Sequence, residues 1–151
     1  MSEVTIEPVA SSKDIVELDE ILWRVLWQPL GLPRNVRQDL SIDGESLELV
    51  AKKNGLLIGG AVVVWTGEAE VELRHLAIVP EAQNQGIGQR LIERLLEIVK
   101  LNGCQRVHTI ARNKSVGFFK NLGFRMATGL VPEHPVFKKH GIVFKLMDRI
   151  V

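Results

Sequence analysis

Apolar and polar residues alternate from the start of the chain, and Val4, Ile6 and Pro8 mark a first strand. Ser11, Ser12 and Asp14 then offer helix caps. Ile15, Leu18, Ile21, Leu22, Val25 and Leu26 recur at helical spacing, which predicts an amphipathic helix to Trp27. Pro29, Gly31 and Pro33 end it. Residues 34–45 are polar and read as a loop or a short second helix. Leu47–Lys53 reads as a strand, Asn54-Gly55 as a hairpin turn and Leu56–Trp65 as the return strand. After a turn at Thr66-Gly67, Val71–Val79 is a third strand, so these three form an antiparallel meander. Pro80 stops the third.

Past a polar loop, Ile87, Leu91, Ile92, Leu95, Leu96, Ile98 and Val99 predict a long helix. Its apolar face is broad enough to lie across a sheet. Asn102-Gly103 is a helix stop. Val107–Ile110 is a further strand, and Ser115–Leu122 is a short helix closed by Gly123. Phe124 onward and Gly141–Met147 give the last strands. The order predicts an α+β fold with a mixed sheet, and 151 residues predict a single domain over 1–151.

Composition removes several classes of function. A chain that is 46% hydrophobic and 25% charged is that of a folded domain. Nineteen basic against eighteen acidic residues give +1, too balanced for nucleic acid or an anionic membrane as the main partner. The longest near-apolar run, Leu56–Trp65, is about half of a membrane-spanning helix. Met1–Ala10 lacks the basic and apolar regions of a signal peptide, and the lone Cys104 excludes an intrachain disulfide. The cytoplasm is therefore the expected location. No histidine or cysteine spacing fits a metal, so none is expected.

The informative segment is Val79–Arg90, where a strand runs through a loop with two glycines into a helix. Free N–H groups at such a helix start, with the helix dipole, favour an anion. Plain turn chemistry would also explain the glycines. A Rossmann loop needs a third glycine three residues past Gly88, where Leu91 stands. A P-loop needs Gly-Lys-Ser/Thr, which is absent. The pattern that fits is Gln83-Asn84-Gln85-Gly86-Ile87-Gly88 after a strand ending Leu76-Ala77-Ile78-Val79-Pro80. It resembles the acetyl-CoA-binding motif of the GNAT N-acetyltransferase superfamily. Ser115–Phe124, with Phe118-Phe119 and Gly123-Phe124, is similar to the family's second signature, Ala-x-x-Phe-Tyr-x-x-x-Gly-Phe. The stretch Arg24–Gly31 resembles the first helix of one small branch of that family.

The resemblance implies a mostly antiparallel mixed sheet of about seven strands, with splayed middle strands and flanking helices. It implies acetyl-CoA as cosubstrate. The N–H groups of Gln85, Gly86, Ile87, Gly88, Gln89 and Arg90 would hold the pyrophosphate. Leu76, Ala77 and Ile78 would bond the pantetheine arm as an added strand does, and the Ile78 N–H would polarise the thioester carbonyl. Asn113 falls where the family often contacts the pantetheine; the alternative is a residue capping the Ser115 helix. The acceptor, a small-molecule or peptide amine, would meet Trp23–Gln38 and Pro132–His140, with Trp23 and Trp27 as candidate lining. A homodimer through the terminal strands is the family's habit.

An alkyl amine has a pKa of about 10.4, so a base is needed at neutral pH. Glu72 fills the place of the family's glutamate base, and even spacing puts it on one face with Leu76 and Ile78 and turns His75 to the other. The alternative is a solvated strand glutamate. His108 reads as a partly buried strand histidine. Phe119 stands where the family carries a tyrosine that protonates the leaving thiolate, and the chain has no tyrosine. A thiol pKa of about 8.5 makes unassisted departure tolerable. Cys104 reads as a buried apolar residue. The favoured function is amine N-acetylation by direct attack. The runner-up is a non-catalytic acyl-CoA-binding or sensor domain, and a protein-interaction module is third.

Overall fold

The computed structural model describes residues 3–151. Strand β1 (Val4–Pro8) leads to α1 (Ser12–Leu22), capped by the Ser11 hydroxyl, which accepts from the Asp14 N–H. Ile15 is exposed. Asp14 is buried in its place, 3.0 Å from Lys52 Nζ. Trp23–Trp27 continues α1 as a π-helical turn, then a 3₁₀ turn closes at Gly31. Such a widened turn escapes a reading based on a 3.6-residue period.

After the short α2 (Val36–Asp39) come β2 (Ser46–Lys53), β3 (Leu56–Trp65) and β4 (Glu70–Ile78), the expected meander. Helix α3 (Ile87–Leu101) follows, then β5 (Arg106–Arg112), α4 (Val116–Asn121), β6 (Arg125–Met126), α5 (Pro135–Lys139) and β7 (Phe144–Ile150). The sequence reading contained no α5, because five residues are too short to show a period.

The seven strands form one sheet in the order β1-β2-β3-β4-β5-β7-β6. Every pairing is antiparallel except β4 with β5, which α3 joins by a crossover. Helix α3 buries Leu91, Ile92, Leu95 and Val99 against strands β1–β4, worth about 1.5–3 kcal/mol per large side chain. Helix α1 lies on the other face, pressed so close that a Cβ at Gly60 would sit 2.4 Å from Leu18 Cδ1. No helix among the described residues is long and apolar enough to cross a membrane.

Two irregularities position the site. In β4, Val62 faces His75 and Val63 faces Leu73, leaving Arg74 as an extra residue. Such a bulge bends and twists the strand. Beyond it β4 leaves β5: only Glu70–Leu73 pair with Arg106–Thr109, although β4 continues to Ile78 and β5 to Arg112. The sheet splits open from that point.

Candidate active site

The split is the head of a cavity of about 270 Å³ that passes between β4 and β5. Phe118 and Phe119 of α4 wall it on one side, Leu26 and Trp27 on the other, and Phe137 of α5 closes over it.

Along β4 the backbone decides which groups reach the gap. The Val79 N–H donates to Ile58 O, and Gly59 lies opposite Ile78. Strand alternation therefore turns the N–H and C=O of Leu76 and Ile78 away from β3 and into the gap. The Ile78 carbonyl accepts from Gln83 Nε2 at 2.9 Å, so its N–H is the open group. Ala77, expected among the binding residues, faces Gly60 in the ladder and its side chain is buried. Its backbone points the wrong way to serve.

At the end of β4 the loop passes through positive φ at Asn84 (63°) and Gly86 (77°) and opens α3. No side chain caps this helix. The first N–H groups are unpaired at any helix start, and here Gln85 and Gly86 lead exposed into them. That fits a pyrophosphate. Ile87 is buried and Gly88 half-buried against Phe118. Gln89 bonds Glu93, so only its backbone is left for a ligand. Arg90 differs from expectation: its N–H bonds Gly86 O at 3.1 Å and its guanidinium donates to Val4 O, since it already belongs to the second helical turn.

The bulge overturns the parity argument for Glu72. Glu72 faces Val64 and His75 faces Val62, two residues on one side of β3, so Glu72 and His75 share a face and Leu76 and Ile78 lie on the other. One extra residue inverts the alternation. Glu72 nevertheless lines the cavity, 8% exposed. It pairs with Arg74 and with His108 Nε2 at 2.9 Å. Burial pushes its carboxyl up, but His108 and Arg74 outweigh that and hold it below the usual carboxylate range. His108 Nδ1 lies 2.6 Å from Glu70 Oε2, not aligned as a hydrogen bond. Sequence reasoning missed this His108–carboxylate cluster, because nothing local to Glu72 announces a partner thirty-six residues away. His75 packs edge-on to Trp27 with ring centroids 5.0 Å apart. Burial, with Arg37 and Arg74 close by, pushes its pKa down to about 3.

Other expected residues divide. Phe119 stands in the cavity wall, 5% exposed, edge-on to Phe118 and Phe124. Asn113 Oδ1 accepts from the Val143 N–H at 3.0 Å, so the side chain fastens the approach to β7 and caps no helix. Trp27 lines the cavity, whereas Trp23 Nε1 is held by Leu32 O and its ring by Arg34. Cys104 is buried, and burial raises its thiol pKa, which makes it a poor nucleophile.

Similar proteins share this architecture. The chain is 32% identical over 76 residues to an uncharacterized N-acetyltransferase of Chlorobaculum tepidum, a match over 50% of this chain and 48% of that protein. The chain thus spans about half the length of that curated relative. Escherichia coli ElaA superposes with a TM-score of 0.78 over 99% of both chains at 18% identity. A GNAT family acetyltransferase from Elizabethkingia anophelis, solved with acetyl-CoA bound, superposes with 0.72 over 98% of both at 19% identity. The sequence profile of the acetyltransferase (GNAT) family matches residues 12–124, which takes in the opened sheet, the glycine loop and the Phe118–Phe124 turn, and the chain belongs to that family.

Proposed function

We propose that the protein moves the acetyl group of acetyl-CoA to the nitrogen of a small-molecule or peptide amine by direct attack. The gap between β4 and β5, with Leu76 and Ile78 turned into it and the uncapped start of α3 at its end, carries this reading. When bound, acetyl-CoA would supply an activated thioester, and CoA would leave as a thiolate that takes its proton from water. The N–H groups from Gln85 to Gln89 hold the pyrophosphate by charge-assisted bonds. Leu76 and Ile78 would hold the pantetheine as an added strand, and the open Ile78 N–H would polarise the thioester carbonyl, where negative charge develops. Glu72 stays ionised across the physiological range and accepts, through a water, the proton that the neutral amine loses on attack. His108 and Arg74 fix its orientation. Phe119 shapes the sulfur end of the cavity and donates no proton.

The absence of tyrosine, with Phe119 in the wall, favours a second reading: an acyl-CoA-binding or sensor domain without turnover. Release of free CoA thiol on adding amines separates the two. Amine-dependent release that falls at least about tenfold in Glu72→Gln, within the usual range of a general base, supports the enzyme. Binding without release supports the sensor, and no effect of CoA on the melting temperature removes both.

A further inference from the structure

Arg112 ends β5 and reaches between the two segments that flank the cavity. Its Nη2 donates to Leu26 O at 2.8 Å, and its guanidinium lies 5.5 Å from the Phe137 ring centroid. Five N–H donors are available to a guanidinium, and this one bond is the single hydrogen bond it makes among the described residues. No carboxylate among them lies within ion-pair distance of it. The cavity's other charges are differently placed. Glu72 and Arg74 neutralise each other, and Glu133 is exposed at the rim. Arg112 is half-buried, and that partial burial lowers its pKa with no carboxylate beside it to oppose the shift. An unpaired charge in an apolar wall is costly, and a ligand anion offsets that cost. Arg106, His108, Ile110 and Arg112 alternate onto one face of β5, so Arg112 stands on the same side of the sheet as the His108–Glu72 pair.

We infer that Arg112 anchors a carboxylate of the acceptor, so that the acceptor class is a small amine that also bears a carboxylate: an amino acid or a short peptide with a free C-terminus. The inference rests on the acceptor reading above. A planar fork matches a carboxylate in two parallel bonds. Arg112 lies four residues from His108, the strand partner of Glu72, roughly 13 Å along the strand at about 3.3 Å per residue. The two side chains shorten that span, and acceptors with amine and carboxylate well apart fit it best.

The test uses matched acceptors with amine and carboxylate well apart: γ-aminobutyrate and butylamine, dialanine and its amide. With acetyl-CoA present, kcat/KM should favour each acid by at least about tenfold, the ratio that a hydrogen bond to a charged group supplies. Arg112→Gln should bring that ratio close to one and Arg112→Lys should keep part of it, while the CoA-induced melting shift reports that each variant is folded. Equal turnover of acids and amides, or a ratio that survives in Arg112→Gln, overturns the assignment. If no amine is acetylated, calorimetry of the same pairs on the CoA-loaded protein still decides: tighter binding of the acids supports the carboxylate anchor and equal binding overturns it, whatever becomes of the acetyl-transfer reading.

Discussion

Phe119 is the residue whose identity bears most directly on rate. Its ring is wedged edge-on between Phe118 and Phe124, at centroid distances of 5.1 and 5.3 Å, and it faces the cavity. Phe119→Tyr adds one hydroxyl and little else. Turnover should rise at least about tenfold, below the ~10²–10⁴-fold of a complete general acid, with the KM for acetyl-CoA unchanged. Steady-state kinetics with a single amine check it, and no gain means that thiolate departure is not limiting. His75 makes a prediction about stability. The unfolded chain protonates it near the usual 6.5, while the folded chain resists until about 3. Protons therefore bind the unfolded state preferentially in that window, and stability falls as pH drops from 6.5 toward 3, by at most about 1.4 kcal/mol per unit. His75→Phe should narrow the difference in urea midpoint between pH 7 and pH 4. An unchanged difference would mean that His75 titrates as if exposed.

The loop that opens α3 has two glycines with different reasons to be glycine. Gly86 sits at φ +77° with open space where a Cβ would go, so its need is conformational. Gly88 has ordinary helical backbone, and an added Cβ would meet only the Phe118 ring, at 3.5 Å. Gly86→Val should cost about 1–2 kcal/mol for a β-branched residue in the left-handed region, and should also weaken CoA binding. Gly88→Val should fold with little loss yet lose the CoA-induced melting shift, because its side chain lies over the free N–H groups. Melting curves with and without CoA distinguish them. An undiminished shift in Gly88→Val would move the pyrophosphate elsewhere.

The whole molecule is a sheet held together on both faces and open in the middle. The gap between β4 and β5 leaves backbone polar groups without strand partners, and a ligand that fills it adds a missing strand. Acetyl-CoA at about a hundredfold its Kd should therefore stabilise the fold by about 2.7 kcal/mol, a rise of roughly 5–10 °C in Tm for a domain of this size. Differential scanning fluorimetry measures it, and no rise would set the gap aside as the cosubstrate's place.

Much of this was legible in the chain. The meander follows from alternation and the Asn54-Gly55 turn, the long α3 from its apolar period, and the loop that opens it from two glycines between a strand and a helix. These are local properties, set by residues a few positions apart. Three things were settled only by the folded chain, and each is non-local. The bulge at Arg74 moved Glu72 to the face of His75, away from Leu76 and Ile78, because an extra residue shows only against the partner strand. His108 became the partner of Glu72, and Asn113 that of Val143, through strand pairing that no spacing encodes. Arg112 has no counter-ion among the described residues because β4 leaves β5 at Thr109, three residues before β5 ends, and a charge's environment is set by what packs around it.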